Sequence, residues 1–484
     1  MSRAPAWLLL GAGLLAGCAT SVPVVPVPSL PTAWQSVAPP LAAPSATTPH
    51  ALGGGLPILQ DLIESAQRAS PNLAAAAERL EAARLAAVAA GAMLQPLAEA
   101  TGSAWANRAD PAAPVSRRLS AGVQASWEID LFGRLAAAQG GARSRAEAAL
   151  SAWHDGRVTL AAEVASAYIA LRACEAQLEQ ISIDTDSRAE TARLTALTAR
   201  AGFTAPADAA LARASAAQAR SQQSLARLSC ERQIKALVAL TAWPEDELRR
   251  RLQHGHATVP EFAAVPLPAV PAHLLVLRPD LVEGQARLQA AAADVVQADR
   301  ERLPRLSLSG QIGLGVSSSG GRRTDGTTWS LGPLQLSLPL LDGGQQAANH
   351  RAALAAYDSA RVQLEARVRD AVRELEQALL VLNTSSTRLT DARQAAEGFE
   401  DALRATQARQ RGGLASLFEL EEARRQAVAA RNALIDLDLQ RALAWVALYR
   451  ALGGGWTPRD AGPAAPAGPA TARDSSSAAA TGRS

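Results

Sequence analysis

The clearest hydrophobic pattern in the chain lies between Arg305 and Leu340. Leu306, Leu308, Ile312, Leu314 and Val316 alternate with Ser307, Ser309, Gln311 and Gly313. A period of two predicts a strand with one apolar face. Thr328 to Leu340 alternates through Trp329 and Leu331 and slips phase at Gly332-Pro333, as a bulge requires. It then resumes through Leu334, Leu336, Leu338 and Leu340. The polar, Gly-rich segment 317–326 between them predicts a loop. A second hairpin is expected over 97–130. Its later strand is clear, with Leu119, Ala121, Val123, Ala125, Trp127 and Ile129 against Ser120, Gly122, Gln124, Ser126 and Glu128. Its earlier strand, 97–107, alternates only weakly, and 108–117 forms the loop.

Most of the remaining chain predicts long Ala-rich helices in two copies of one unit. Ser70-Pro71-Asn72-Leu73 matches Arg278-Pro279-Asp280-Leu281, and Gln95-Pro96 matches Leu303-Pro304. Each pair stands 208 residues apart (279 minus 71, 304 minus 96). Each copy opens with Pro at a first helical position and stops its first helix at a second Pro. A hairpin follows, then a long helix, roughly 133–200 and 344–411. At 1.5 Å per residue such helices reach on the order of 100 Å. Each ends at glycine, near Gly202 and at Gly412-Gly413, and a shorter helix returns. Ser416 with Glu419 predicts a capping box, and Pro206 an N-terminal start. The copies span 52–243 and 273–456, joined by a Pro-rich, irregular linker over 244–272. Residues 457–484 are Ala, Pro, Gly and Ser and predict a disordered tail.

The start of the chain adds an address. Arg3, the apolar run Trp7–Leu15 and Leu15-Ala16-Gly17-Cys18 resemble a bacterial lipoprotein signal peptide over 1–17, with Cys18 acylated. Ala19 in place of Asp implies sorting to the outer membrane, and 18–51 reads as a Pro-rich leash. The net charge of +3 in 484 residues implies no global attraction to nucleic acid. The few cysteines exclude a disulfide framework.

Strands of about ten residues are long enough to cross a bilayer when tilted. Four cannot close a membrane barrel, and open edges are not tolerated in hydrocarbon. Several chains must then contribute to one barrel. A soluble four-stranded sheet with one face on a core would show the same alternation.

Trp127-Glu128-Ile129-Asp130-Leu131-Phe132-Gly133-Arg134 resembles the strand-to-helix signature of the TolC-like outer-membrane factors. Arg278-Pro279-Asp280, Leu338-Pro339-Leu340-Leu341-Asp342-Gly343-Gly344 and Leu448-Tyr449-Arg450-Ala451-Leu452-Gly453-Gly454-Gly455-Trp456 resemble their lipoprotein, NodT-type branch. The resemblance covers residues 52–456. It implies a mainly α chain with a pair of membrane β-hairpins, assembled as a homotrimer. Twelve strands would form an outer-membrane β-barrel, continued by a periplasmic α-helical barrel. It further implies a passive efflux duct for drugs or other small toxic compounds. Its partners would be a periplasmic adaptor and an inner-membrane pump of the resistance–nodulation–division type. The family has no cofactor and performs no chemistry. Alternatives are an exit duct for type I protein secretion or metal efflux, or a structural periplasm-spanning lipoprotein.

The resemblance places adaptor-contacting tips at Gly202, Phe203 and Thr204 and at Gly412, Gly413, Leu414 and Ser416. Gln410 and Leu414-Ala415 depart from the family pattern there. Alignment on Gly413 places a periplasmic gate at Phe418 and Glu422, four residues apart on one helix face. Glu421 is the competing carboxylate. His254-Gly255-His256 lacks a third ligand for a metal. Cys174 and Cys230 each stand 28 residues from Gly202 (202 minus 174, 230 minus 202), at equal height on a hairpin. They are either bridged, in an oxidising periplasm, or two small buried thiols. The usual 8–10 Å spacing of helices opposes the bridge, and an Ala-rich contact would permit it.

Overall fold

A computed structural model describes residues 56–108, 110–262 and 278–456. Cys18, the leash, most of the second half of the linker and the tail lie outside the described residues. The helices are α1 (Pro57–Ala69), α2 (Pro71–Ala92), α3 (Arg134–Arg200), α4 (Pro206–Thr241), α5 (Glu245–Leu252), α6 (Pro279–Arg300), α7 (Gln345–Arg411) and α8 (Leu417–Ala451). The strands are β1 (Leu97–Asn107), β2 (Ser116–Ile129), β3 (Arg305–Ser319) and β4 (Arg322–Ser337).

The two halves repeat in length. α2 and α6 each have 22 residues, and α3 and α7 each have 67. The return helices α4 and α8 have 36 and 35. Pro71 and Pro279 occupy first-turn positions, where a missing N–H costs no helical bond.

The strands form one antiparallel sheet in the order β1-β2-β3-β4. The segment 317–326 is mostly strand rather than loop. Ser317 pairs with Thr324 and Ser319 with Arg322, leaving a two-residue turn at Gly320-Gly321. Both glycines have positive φ, which suits the twist of a tight hairpin. Ser and Thr pair across the strands without any apolar alternation to announce it. At the other end β4 stops at Ser337, so Leu338 and Leu340 fall outside the strand. Pro339, two residues on, has no N–H to extend the ladder. The register shift lies between Leu308 and Gly310, opposite Gly332-Pro333. The linker also departs from expectation, because 245–252 is helical. Its Glu245, Asp246 and Glu247 stand at the N-terminus and Arg249, Arg250 and Arg251 at the C-terminus, matching the helix dipole.

The apolar core lies along the middle of the helices. One cluster joins Leu59 and Leu62 of α1, Val164 and Ile169 of α3, Leu237 of α4, Leu248 of α5 and Val446 of α8. A second joins Leu288 of α6, Leu375 and Leu379 of α7, and Trp445 and Leu448 of α8. The linker is clasped to this core by Arg172, which is fully buried. Its Nη1 donates to Glu175 (2.8 Å) and its Nη2 to the His254 carbonyl (2.7 Å). Glu175 in turn accepts from the Ala257 N–H at 3.1 Å. After α8, Gly454 packs on α3 with φ +65°, and a Cβ there would stand 2.6 Å from Val158 Cγ2.

Candidate functional site

The sheet presents two chemically opposite faces. Register puts Leu119 beside Val316, Ala121 beside Leu314 and Val123 beside Ile312, with Trp329 next to Ile312 on the far side. Leu119, Val123, Ile312, Leu314, Trp329 and Leu331 are all exposed. The other face carries Glu99, Gln124, Gln311 and Ser330 in one cross-strand row and Thr101, Gly122, Gly313 and Thr328 in the next. A concavity of 480 Å³ opens on this polar side, lined by Thr101, Ser103, Arg118, Gln124, Gln311 and Thr328 among others. A soluble sheet would bury its apolar face. Here, among the described residues, helices cover neither face, and both edges, β1 and β4, lack a strand partner.

The far end of the molecule carries two matching turns. At the first, Gly202 has φ +80°, and the Phe203 N–H donates to the Thr198 carbonyl at 2.9 Å. At the second, Gly413 has φ +73°, and the Leu414 N–H donates to the Arg409 carbonyl at 2.8 Å. Both close a helix with a glycine in the left-handed region, which β-carbons disfavour. Phe203 is 86% and Leu414 74% exposed, so each tip offers one large apolar side chain to solvent. Thr204 Oγ1 bonds Thr198 Oγ1 at 2.8 Å. Gly412 is the C-cap of α7. Ser416 caps α8 in a full capping box with Glu419, and that contact holds the Glu419 carboxyl below its ordinary range.

In the first turn of α8, Phe418 is 68% exposed. The Glu422 side chain is 39% exposed, and among the described residues its polar partners are on its own helix: Arg425, and Gln426, whose Nε2 donates at 2.8 Å. Glu421 points the other way and its side chain is only 13% exposed. It accepts from Arg188 of α3 at 3.0 Å, from Ser215 of α4 at 2.5 Å and from Arg424 at 2.8 Å. Arg424 also donates to Ser187 (2.8 Å) and Thr191 (2.9 Å), and Arg188 Nε to Asp184 at 2.8 Å. Burial raises the Asp184 carboxyl, against the pull of Arg188. Sequence reasoning missed this cluster. Its members are 233 residues apart, and no local pattern connects Arg188 with Glu421.

Cys174 and Cys230 are joined by a disulfide, with their Cα atoms 5.5 Å apart. Beside the bridge Cys174 Sγ stands 3.6 Å from the Ala226 carbonyl of α4, and nearer the tip Ala209, Ala212, Ala216 and Ala219 continue the buried small-residue seam. His254 and His256 sit beside the Arg172–Glu175 clasp, with His256 Nε2 3.9 Å from Glu175. Among the described residues no three His, Cys, Asp or Glu side chains cluster as metal ligands.

The Outer membrane efflux protein family profile matches residues 62–242 and 270–454. The chain belongs to this family. Outer membrane protein OprJ of Pseudomonas aeruginosa is 30% identical over 365 residues, covering 74% of this chain and 76% of that protein. Nodulation protein T of Rhizobium leguminosarum bv. viciae is 28% identical over 395 residues, 80% of each chain. The solved outer-membrane channel OprN superposes with a TM-score of 0.72 at 25% identity, over 90% of this chain and 100% of that one. This outer-membrane efflux protein is a channel of TolC-like fold, mainly helical, in the outer membrane of a Gram-negative bacterium.

Proposed function

We propose that this outer-membrane efflux protein works as a homotrimer. Three copies of β1–β4 close a twelve-stranded barrel, and three copies of α3, α4, α7 and α8 continue it as a periplasmic tube. The observation that carries this reading is the uncovered, largely exposed apolar face of the sheet, opposite a polar concave face, with both edges open among the described residues. Lipid satisfies the first face and water the second. Only closure on neighbouring copies satisfies the edges. The equal lengths of α2 and α6, and of α3 and α7, support an internal duplication with boundaries near 52–243 and 273–456.

In this reading Cys18 carries the lipid anchor. The tips Gly202-Phe203-Thr204 and Gly412 to Ser416 dock on a periplasmic adaptor, burying Phe203 and Leu414. Phe418 and Glu422 form an apolar ring and an acidic ring at the periplasmic gate, since neither is tied to the first hairpin. The duct is passive. An inner-membrane pump of resistance–nodulation–division type drives small toxic compounds through it.

Native mass spectrometry of the detergent-purified protein tests the assembly: three chains are expected, and a lone monomer contradicts the barrel. Capture of the native adaptor tests the tips. Phe203→Asp with Leu414→Asp should abolish capture while leaving the trimer intact, and undiminished capture contradicts the docking role.

A further inference from the structure

The polar face of the sheet is not uniform in charge. At its extracellular end Trp105 of β1 pairs in register with Arg118 of β2. The Arg118 guanidinium lies over the Trp105 ring, 5.8 Å from its centroid. The row continues through Ser317 and Thr324. One rung outward, Asn107, Ser116, Ser319 and Arg322 make the last row before the turns. Arg118 and Arg322 are both exposed. Among the described residues no carboxylate pairs with either one. Asp325, next to Thr324, lies by register with Val316 in the rows of the apolar face and, among the described residues, makes no ion pair with either arginine. The nearest acidic strand residue in the rows of Arg118's own face is Glu99, which pairs with Gln124. Gln124 stands six positions along the strand from Arg118 (124 minus 118), or roughly 20 Å. That is about two Debye lengths at 0.1 M salt, so Glu99 does not neutralise Arg118.

Trp105 is the one aromatic residue on this face. The other sheet aromatics, Trp127 and Trp329, lie on the apolar side by register. Lipid therefore does not account for Trp105, whereas holding a guanidinium against the wall does. An indole face attracts a cation most strongly among aromatic rings and restrains a long flexible side chain. Arg117, the adjacent residue, lies on the opposite face, in the row of Ser318 and Arg323.

The geometry points to Arg118, braced by Trp105 and joined by Arg322, as a cationic ring at the outer mouth that sets the charge selectivity of the exit in favour of anions. This rests on the trimeric-barrel reading, which brings three copies of each residue around one lumen. A fixed positive ring in a narrow, low-dielectric wall concentrates anions and repels cations.

Reversal potentials across a planar bilayer under a potassium chloride gradient test it, with the full-length trimer at low ionic strength. Arg118→Glu should raise the potassium-to-chloride permeability ratio by on the order of threefold or more, and high salt should shrink the effect. Arg118→Lys should keep the original ratio, and so should Arg117→Gln on the opposite face. An unchanged ratio in Arg118→Glu overturns the inference. An equal shift in Arg117→Gln also overturns it, because the faces would then be assigned wrongly. If Arg118→Glu does not assemble, Arg118→Cys labelled in the bilayer gives the same reading. A cationic thiol reagent should lower the ratio relative to an anionic one, and identical ratios overturn the ring. Silence from well-folded trimer in both the native and the Phe418→Ala, Glu422→Ala forms overturns the duct reading itself, and the ring with it.

Discussion

Arg188 of the first hairpin donates to Glu421 of the second at 3.0 Å, in a cluster where Arg424 is only 5% exposed. A carboxylate shared by two guanidiniums and the Ser215 hydroxyl ties three helices together near the periplasmic end. Glu421→Gln leaves Arg188 and Arg424 short of their counter-charge, and breaking a buried pair this way costs about 3 kcal/mol. Hydrogen exchange in the first turns of α8 should quicken while exchange in the equatorial core stays slow. Unchanged protection in α8 contradicts the latch. Replacing all four charges by apolar residues, Arg188→Met, Arg424→Met, Glu421→Leu and Asp184→Leu, should cost less than Glu421→Gln alone, since no buried charge is then left unpaired.

The Cys174–Cys230 bridge closes 56 residues of chain between the arms of the first hairpin. Loop-closure entropy for that length is worth about 4 kcal/mol. Reduction, or Cys174→Ser with Cys230→Ser, should lower the melting temperature of the purified protein. Titration of denatured, unreduced protein should find neither thiol free. Two free thiols in fresh protein contradict the bridge.

Asp155 of α3 should make stability fall as pH rises. Burial pushes its carboxyl up to about 6, reinforced by Asp280 and Glu283 and opposed by Arg278 and Arg450. Between about pH 4 and 6 the folded chain keeps a proton that the unfolded chain has released. Stability therefore declines through that window and stays lower above it. Asp155→Asn should match the wild type at pH 4 and exceed it at pH 7.5, by on the order of 2 kcal/mol. Equal melting temperatures at pH 7.5 contradict this.

Much of the architecture is legible in the sequence because its signals are local. Strict alternation marks β2 and β3, prolines mark the starts of α2 and α6, and glycines mark the tips. Ser317 to Thr324 misled because polar residues on both sides of a strand leave no periodicity. The charge order of α5 was present in Glu245 to Arg251, and the prolines around it obscured it. The Arg188–Glu421 cluster was not legible, since it depends on how two distant hairpins pack. The approach of Cys174 to Cys230 depends likewise on how closely α3 and α4 pack at Ala226, which spacing from Gly202 does not determine.

Phe418 is largely exposed, and among the described residues the polar partners of Glu422, Arg425 and Gln426, belong to its own helix, whereas Glu421 binds Arg188 of the first hairpin. Phe418→Ala with Glu422→Ala should therefore raise single-channel conductance and weaken block by divalent cations, with no loss of thermal stability. Unchanged conductance and unchanged block remove both residues from the gate.

The central claim is that a sheet with its apolar face outward becomes the wall of a trimeric duct. The most direct measurement is the conductance of the purified full-length trimer in a planar lipid bilayer. The account predicts discrete, uniform steps, one for each inserted trimer. A well-folded trimer that inserts and stays silent in both the native and the Phe418→Ala, Glu422→Ala forms would contradict it.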